Sequence, residues 1–492
     1  MLTKLFQTLW IDNPEKLSGG WLNTKFHLMS WALSAYSFSR FYPNLELITD
    51  NIGAGLLIEK LRLPYSDVSL AQENFKPIFD KLWVLRKIYS YTLQNEPFIH
   101  ADGDVYLFKP FSYELLSAPL VAQNYEYDHP YYIQGFWEII THCSYLPSYI
   151  KHDIDGKLSA VNAGIMGGSN FVFFKEFSSQ IDTFIEQNKD NLGKLSPHNF
   201  NIFIEQFLFK KIAEQQKIPV SYLLKEEIGY PHYYGLDRFY DLPNEVPYLH
   251  TMNYKQNPLI CEQIAQRLFI ENPALYYRCI EVSKSLEATY HFIELHNYKR
   301  TFLVADAIGL TITNAENDIR NSQNQQLNDV FGYEKAIKQN AELVSKINWK
   351  VYSTAVNDLL SRPKEEYLST KVKQSEFCFR IISEWDWSEI NEFLGQGTHK
   401  NLLDNFEIEP TYFEVVLYHY KHLDIIREHL LDAWNIMILD ESEQEISINA
   451  LIANIWNQVC AYQVISQKEV IEQLLLERIK FFLYQGILKI EN

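Results

Sequence analysis

The stretch "FIHADGDVYLFKPF", residues 98 to 111, decides how the chain is read. An apolar run, Phe98 to Ala101, stops at Asp102-Gly103-Asp104 and resumes as "VYLF" before Pro110. Two readings are open. Asp-Gly favours a tight hairpin turn, and the aspartates would then serve backbone geometry alone. Alternatively, the run is a buried strand of an open α/β sheet, and the aspartates leave its carboxyl end where such sheets bind ligands. At i and i+2 both side chains point to one face. Gly103 lets the backbone approach a ligand closely, and two hard carboxylate oxygens suit Mn2+ or Mg2+. A hairpin would put similar strands on both sides. Here an approach that is apolar but for His100 is followed by an extended segment broken by proline, which raises the metal reading and leaves the turn open.

Working outward, the first ~260 residues alternate between strand and helix patterns. "KLFQTLWI", "LELITD" and "PFIHAD" read as strands, the last with Pro97 at its start, where a missing N–H does least harm. Between them "FHLMSWALSAYSFSRFY", "GAGLLIEKLRL" and "IFDKLWVLRKIYSYTLQ" read as helices. "SAPLVAQNYEY" and "NAGIMGGSNFVFF" add strands, and "FSSQIDTFIEQN" and "NIFIEQFLFKKIAEQQ" add helices. Strand–helix–strand order implies parallel crossovers and an α/β sheet. From about residue 265 to 360 helical periodicity dominates, around the polar break "AENDIRNSQNQQLNDV". Further on, "FEVVLYHY" and "NIMILD" are candidate strands. The tail "INALIANIWNQV…KEVIEQLLLERIKFFLYQG…ILKI" reads as helix–helix–strand, similar to a small winged-helix arrangement, with a plain packing or oligomerisation domain as the alternative. The expected domains are 1–262 (α/β), 263–365 (helical) and 366–492 (α with some β, with peptide recognition as one possible role).

Composition narrows the classes. With 47% hydrophobic and 22% charged residues, the 492-residue chain is globular and long enough for two or three domains. A net charge of −18 with no long basic run argues against nucleic acid. A nucleotide ligand is still compatible if a divalent cation neutralises its phosphates. Five scattered cysteines without a CxxC pair indicate reduced thiols. No apolar run reaches the length of a membrane span, the N-terminus does not read as a signal peptide, and a cytoplasmic protein is expected.

At this point "FIHADGDVYLFKPF" resembles the DxD segment of glycosyltransferases with the glycosyltransferase-A fold, glycogenin-like members included. "LELITD" (45–50) is similar to that fold's second strand, "SAVNAGIMGGSN" (159–170) to the segment lining the sugar site, and "YLHTMNYKQN" (248–257) to a late His…Lys segment. The resemblance covers roughly residues 1–260. It implies a mostly parallel Rossmann-like sheet domain, Mn2+ (or Mg2+) as cofactor, and a nucleotide-sugar, UDP-linked, as donor. The acceptor is unidentified, a peptide, protein or glycan.

Carried over by position, the resemblance makes Asp102, Asp104 and His250 the metal ligands. Asp102 also touches the ribose, and Lys255 contacts the donor diphosphate. The "HTMNYK" spacing departs from the tighter, glycine-containing family pattern, which leaves Lys255 less secure than His250. Gln7 and Thr8 fall where this fold's backbone holds the base, and Asp50 is either structural or a nucleotide contact. Lys87 is placed facing the diphosphate, with Arg86 as competitor. Gly103 lies against the nucleotide. Asn162 is a candidate for hydrogen bonds to sugar or acceptor hydroxyls, and Glu205 and Gln206 for an acidic/amide pair near the sugar. The implied enzyme is a metal-dependent, hexosyltransferase-like glycosyltransferase, and the His…Lys segment leans towards retention of configuration. The alternatives are a non-catalytic binding or scaffold protein that keeps the fold, and another nucleotide-binding transferase. The lack of a glycine-rich phosphate loop in "QTLWIDNP" argues against the last. In the second half, His291, His296, His399, His419, His422 and His429 are dispersed, and His419 and His422 at i and i+3 would suit a metal pair only on a helix.

Overall fold

The computed structural model describes residues 4–11, 17–76, 81–151, 158–225, 228–229, 237–242, 246–286, 298–319, 322–388, 411–460 and 468–491. The chain divides into two compact units, 1–287 and 288–492.

The described strands of the first unit are β1 (Lys4–Thr8), β2 (Leu45–Ile48), β3 (Asp67–Ser69), β4 (Phe98–Ala101), β5 (Val105–Leu107), β6 (Leu120–Ala122), β7 (Tyr125–Tyr127), β8 (Ser159–Val161), β9 (Ile165–Gly168), β10 (Val220–Tyr222), β11 (Ile228–Gly229) and β12 (Tyr248–His250). Seven form one sheet in the order β10-β6-β9-β4-β1-β2-β3. The sheet is mixed. β1–β2, β1–β4, β2–β3 and β6–β10 pair in parallel, while β9 runs antiparallel to both β4 and β6. The expected α/β sheet is present, with one reversed strand, β9, between β6 and the central β4. That reversal matters for the site, because the residues entering β9 then lie at the same sheet edge as the residues leaving β4. β4 is buried along its whole length, as its apolar run requires. Phe6, Phe98, Tyr91 and Phe174 pack around it in one core.

The Asp-Gly segment contains a turn but not a hairpin. The Val105 N–H donates to the Asp102 carbonyl at 3.2 Å, yet β4 and β5 belong to different sheets, β5 pairing with β12. The turn is held by the helix Thr24–Ser39, which Asn23 caps by accepting from the Phe26 N–H. Serines at i, i+4 and i+7 on that helix face the irregular backbone. The Ser30 hydroxyl donates to the Gly103 carbonyl at 2.8 Å, and Ser34 to the Val105 carbonyl at 2.6 Å. Ser37 accepts from the Leu107 N–H at 3.1 Å. Peptide groups that no strand partner satisfies are thereby paired inside the core.

In the second unit the strands are β13 (Lys371–Gln374), β14 (Phe379–Ser383), β15 (Phe413–Tyr420), β16 (Ile425–Leu430), β17 (Ile446–Ser447) and β18 (Leu488–Glu491). They form the sheets β14-β15-β16 and β17-β13-β18. Trp385, Trp387, Val415 and Leu417 pack against the helix Gln325–Ser345 in a separate core. One expectation is corrected. "NIMILD" lies in a helix, Ala433–Glu441, because Asp432 caps it by accepting from the Asn435 N–H and its buried positions, Asn435, Ile438 and Leu439, follow helical spacing. His419 and His422 share no helix face. His419 is the last residue but one of β15, and His422 sits in the turn before β16 with its ring 4.6 Å from that of Trp349. His291, His296 and His399 lie outside the described residues. The helix–helix–strand order of the tail is present, as Ile448–Cys460, Lys468–Gln485 and β18. The winged-helix likeness finds no support. Among the described residues no helix is long and apolar enough to cross a membrane.

Candidate metal and donor site

Asp102, Asp104 and His250 each offer a ligand atom within 4.8 Å of the others. The register of β5 and β12 accounts for this across 146 positions of sequence. His250 pairs with Val105, and the next residue, Thr251, donates its N–H to the Asp104 carbonyl at 3.1 Å. His250 Nε2 thus lies 3.6 Å from Asp104 Oδ2, and the Lys255 ammonium lies 3.0 Å from the same oxygen. Burial works to raise the Asp104 pKa, but Lys255 and His250 outweigh it and hold the carboxyl well below its usual range.

The imidazole is oriented from behind. The Gln123 amide oxygen lies 2.7 Å from His250 Nδ1 and accepts from the Tyr248 hydroxyl at 2.6 Å. The Gln123 amide nitrogen donates to Asn124 Oδ1 at 2.9 Å. An oxygen that can only accept requires Nδ1 to carry the proton. Nε2 is then the nitrogen that faces the Asp104 carboxylate, able to donate to it when it carries a proton and to ligate a cation when it does not. The donor set of two carboxylates and an imidazole fits a divalent metal. Gly164 packs against this arrangement so closely that a Cβ there would stand 2.2 Å from Gln123 Oε1 and 2.5 Å from His250 Nδ1.

Lys87 is buried behind Asp102. Its ammonium lies 2.8 Å from Asp102 Oδ1, 2.8 Å from Glu205 Oε1 and 3.2 Å from the Ala163 carbonyl. Three N–H donors therefore meet three protein acceptors. Burial pulls the lysine pKa down, but Asp102 and Glu205 together raise it above its ordinary value. Glu205 is raised by burial against the opposing pull of Lys87. Arg86 turns the other way, its guanidinium 5.5 Å from the Phe75 ring. Glu205 and Gln206 lie in a π-helical segment, Phe203–Phe207, that interrupts the expected α-helix. Glu205 also accepts from the Tyr91 hydroxyl at 3.0 Å, and Gln206 lies against the Tyr132 hydroxyl.

Two cavities meet at the aspartates. One, of about 530 Å3, is lined by Thr8, Trp10, Trp21, Trp31, Asp102 and Gly103 among others. The Thr8 hydroxyl is buried there without a hydrogen-bond partner among the described residues. The other, of about 840 Å3, takes in Asn162, Glu205, Gln206, His250 and Lys255. Gln7 lines neither. Its amide is buried, donates to Ser34 and to the Asp102 carbonyl, and accepts from the Tyr65 hydroxyl. Asp50 is also off the cavities, its two oxygens accepting from the Ile11 and Gly53 N–H groups at 2.7 Å each. Asn162 turns inward, its amide donating to Glu126 at 2.8 Å while its oxygen accepts from the Gly164 N–H.

Three residues at this site were not singled out from sequence. Glu126 is buried on the second cavity beside Tyr132 and Asn162, and Gln123 orients His250. Their signal lay in "AQNYEY", three polar side chains inside an apolar stretch. His27 accepts from the Trp31 indole N–H at 2.9 Å, and its Nδ1 lies 2.6 Å from the Leu17 carbonyl. Nothing local distinguished it.

A family model described as "Family of unknown function (DUF6734)" matches residues 3–282, more than half of the chain, and the chain belongs to that family. No curated protein matches it in sequence. Among solved structures, it is similar to apo mouse xyloside xylosyltransferase 1, at 11% identity and a TM-score of 0.26, over 45% of this chain and 84% of that one. It is also similar to the glycosyltransferase GlyE of Streptococcus pneumoniae TIGR4, at 11% identity and a TM-score of 0.26, over 59% of this chain and 66% of that one. At these scores neither likeness bears on the chemistry of the site.

Proposed function

We propose that this member of the DUF6734 family is a metal-dependent glycosyltransferase that moves a sugar from a nucleotide-sugar, UDP-linked, to an acceptor hydroxyl. The observation that carries the reading is the meeting of Asp102, Asp104 and His250 within 4.8 Å at one edge of a sheet, beside a cavity walled by Trp10, Trp21, Trp31 and Trp83. The sequence resemblance in "FIHADGD", "NAG" and "YLHTMNYK" supports the same assignment independently.

Asp102, Asp104 and His250 hold the cation, Mn2+ or Mg2+. Such a cation offsets the charge that builds on the leaving diphosphate. Lys255, on the open side of Asp104, supplies a second positive charge for the diphosphate. Lys87 keeps Asp102 and Glu205 in place from behind. Thr8 and the indole walls of the smaller cavity take the nucleoside, whose ring has a flat face to stack. Asn162, Glu205 and Gln206 border the larger cavity, where the transferred sugar lies. The His…Lys segment favours a retaining course.

Thermal unfolding with Mn2+ and UDP tests the reading. Together they are expected to stabilise the protein by about 2.7 kcal/mol at a hundredfold excess over the dissociation constant. The Asp102→Ala/Asp104→Ala variant is expected to lose that shift. An equal shift in wild type and variant would remove the proposal.

A further inference from the structure

Beyond the donor, the larger cavity has a wall that neither the metal nor the nucleotide uses. Tyr131 stacks on His129 with ring centroids 4.7 Å apart and an interplanar angle of 30°. The His198 ring meets it edge-on at 5.1 Å. Asn253 donates to the Tyr131 hydroxyl at 3.4 Å. Tyr254, on the same cavity, keeps 40% of its surface exposed. Large aromatic side chains left open at the rim of a concave site signal a ligand with an apolar face.

The charge of the cavity narrows that ligand. Asp102, Asp104, Glu126 and Glu205 line it, and Lys255 is the one lysine or arginine among its described lining residues. Four carboxylates face two ammonium groups, Lys255 at 3.0 Å from Asp104 and Lys87 at 2.8 Å from both Asp102 and Glu205, and the remaining negative charge disfavours an anionic acceptor. A pyranose ring fits both features. Its C–H face lies on an aromatic ring, and its hydroxyls pair with the amides, imidazoles and carboxylates between the rings. An extended peptide would instead seek an open sheet edge for its main chain, and among the described lining residues only Glu126, in the central strand of β11-β7-β8, and His250, the last residue of β12, lie in strands.

We propose that the wall formed by Tyr131, His198 and Tyr254 is the acceptor subsite and that the acceptor is the end of a neutral oligosaccharide. This rests on the donor reading above for its catalytic meaning. In the transfer, the acceptor hydroxyl oxygen forms a bond to the anomeric carbon of the nucleotide-sugar as the bond from that carbon to the diphosphate oxygen breaks. The bonding pair leaves with the diphosphate, which also takes the hydroxyl proton.

The test is calorimetric titration of the full chain, without donor, using neutral trisaccharides of glucose, galactose and N-acetylglucosamine in both anomeric linkages. Trigalacturonic acid and an unglycosylated Ser/Thr-rich peptide serve as comparators. At least one neutral trisaccharide is expected to bind, and Tyr131→Ala and Tyr254→Ala are each expected to weaken it about tenfold, as loss of one stacked ring implies. Gln123→Leu, at a residue that lines neither cavity, is expected to keep saccharide binding while reducing the Mn2+–UDP thermal shift, and Tyr254→Ala to do the reverse. Binding of no neutral trisaccharide, preference for the acid or the peptide, or indifference to both tyrosine variants overturns the acceptor assignment. Saccharide binding with no Mn2+–UDP shift in the wild type leaves the subsite standing and removes the donor reading instead.

Discussion

His250 stands opposite Val105 across one antiparallel rung, and that rung brings its imidazole to 3.6 Å from Asp104. The ring's rotation is a separate matter, set by the Gln123 amide oxygen 2.7 Å from Nδ1. Backbone register delivers the imidazole, and a side chain just past β6 fixes which of its nitrogens faces Asp104. Gln123→Leu keeps the rung and removes the acceptor. Mn2+ affinity, measured by titration calorimetry, is expected to fall about 10–100-fold, as loss of an outer partner of a histidine ligand commonly produces. Unchanged affinity would mean that Gln123 does not orient the ring.

Lys87 lines the smaller cavity, yet its ammonium meets Asp102, Glu205 and the Ala163 carbonyl, so its removal bears on stability as well as on any diphosphate contact. Lys87→Met leaves two carboxylates without their cation, one of them, Glu205, fully buried. The cost is expected to be about 3–5 kcal/mol in urea unfolding. Lys87→Met/Glu205→Gln removes one buried charge with its partner and is expected to recover most of that loss. A lysine that served the diphosphate alone would behave differently, with little change in stability and a large fall in UDP affinity.

How much of the fold was legible in the sequence depends on where its signals are local. Phe98–Ala101 is a strand because its own residues demand burial, and Asp102 and Asp104 gain meaning from ending it. His250 was reachable only through resemblance, since nothing in "VPYLHTM" reveals a rung with Val105. The reversal of β9 was not legible, because a buried strand looks alike in either direction. "NIMILD" was misread for a related reason. Short apolar runs satisfy both periods, and the Asp432 cap decides between them. Gln7 and Asp50 were placed near the donor by position in the fold. Their bonds to Ser34, Tyr65, Ile11 and Gly53 depend on side-chain direction, which strand order does not specify.

Gly103 answers the question raised by Asp-Gly in a way that turn chemistry does not. It is not among the glycines with positive φ. A Cβ at this position would stand 2.5 Å from the six-membered ring of Trp31. The glycine is there so that the aspartate loop can lie against an indole. Gly103→Ala is expected to destabilise by about 1–3 kcal/mol through overpacking. Gly103→Ala/Trp31→Leu, which makes room, should cost less than the sum of the two single changes in the same unfolding measurement. Additive effects would place the role of Gly103 elsewhere.

The same indole predicts a pH response. Trp31 donates its N–H to His27 Nε2, so that nitrogen must keep its lone pair, and Nδ1 carries the proton towards the Leu17 carbonyl. Burial, the largest influence, lowers the His27 pKa from 6.5 to about 4. A histidine whose pKa is lower folded than unfolded takes up its proton more readily in the unfolded chain. Stability is therefore full above about pH 6.5 and falls as pH drops towards about 4, with a limiting slope of about 1.4 kcal/mol per pH unit from this group. His100, lowered by burial and by Lys87, adds to the same slope. Thermal unfolding between pH 7 and pH 4.5 is expected to show this loss, and His27→Gln, which has no titrating ring, to show a shallower one. An identical pH profile in the variant would mean that His27 takes up no extra proton on unfolding.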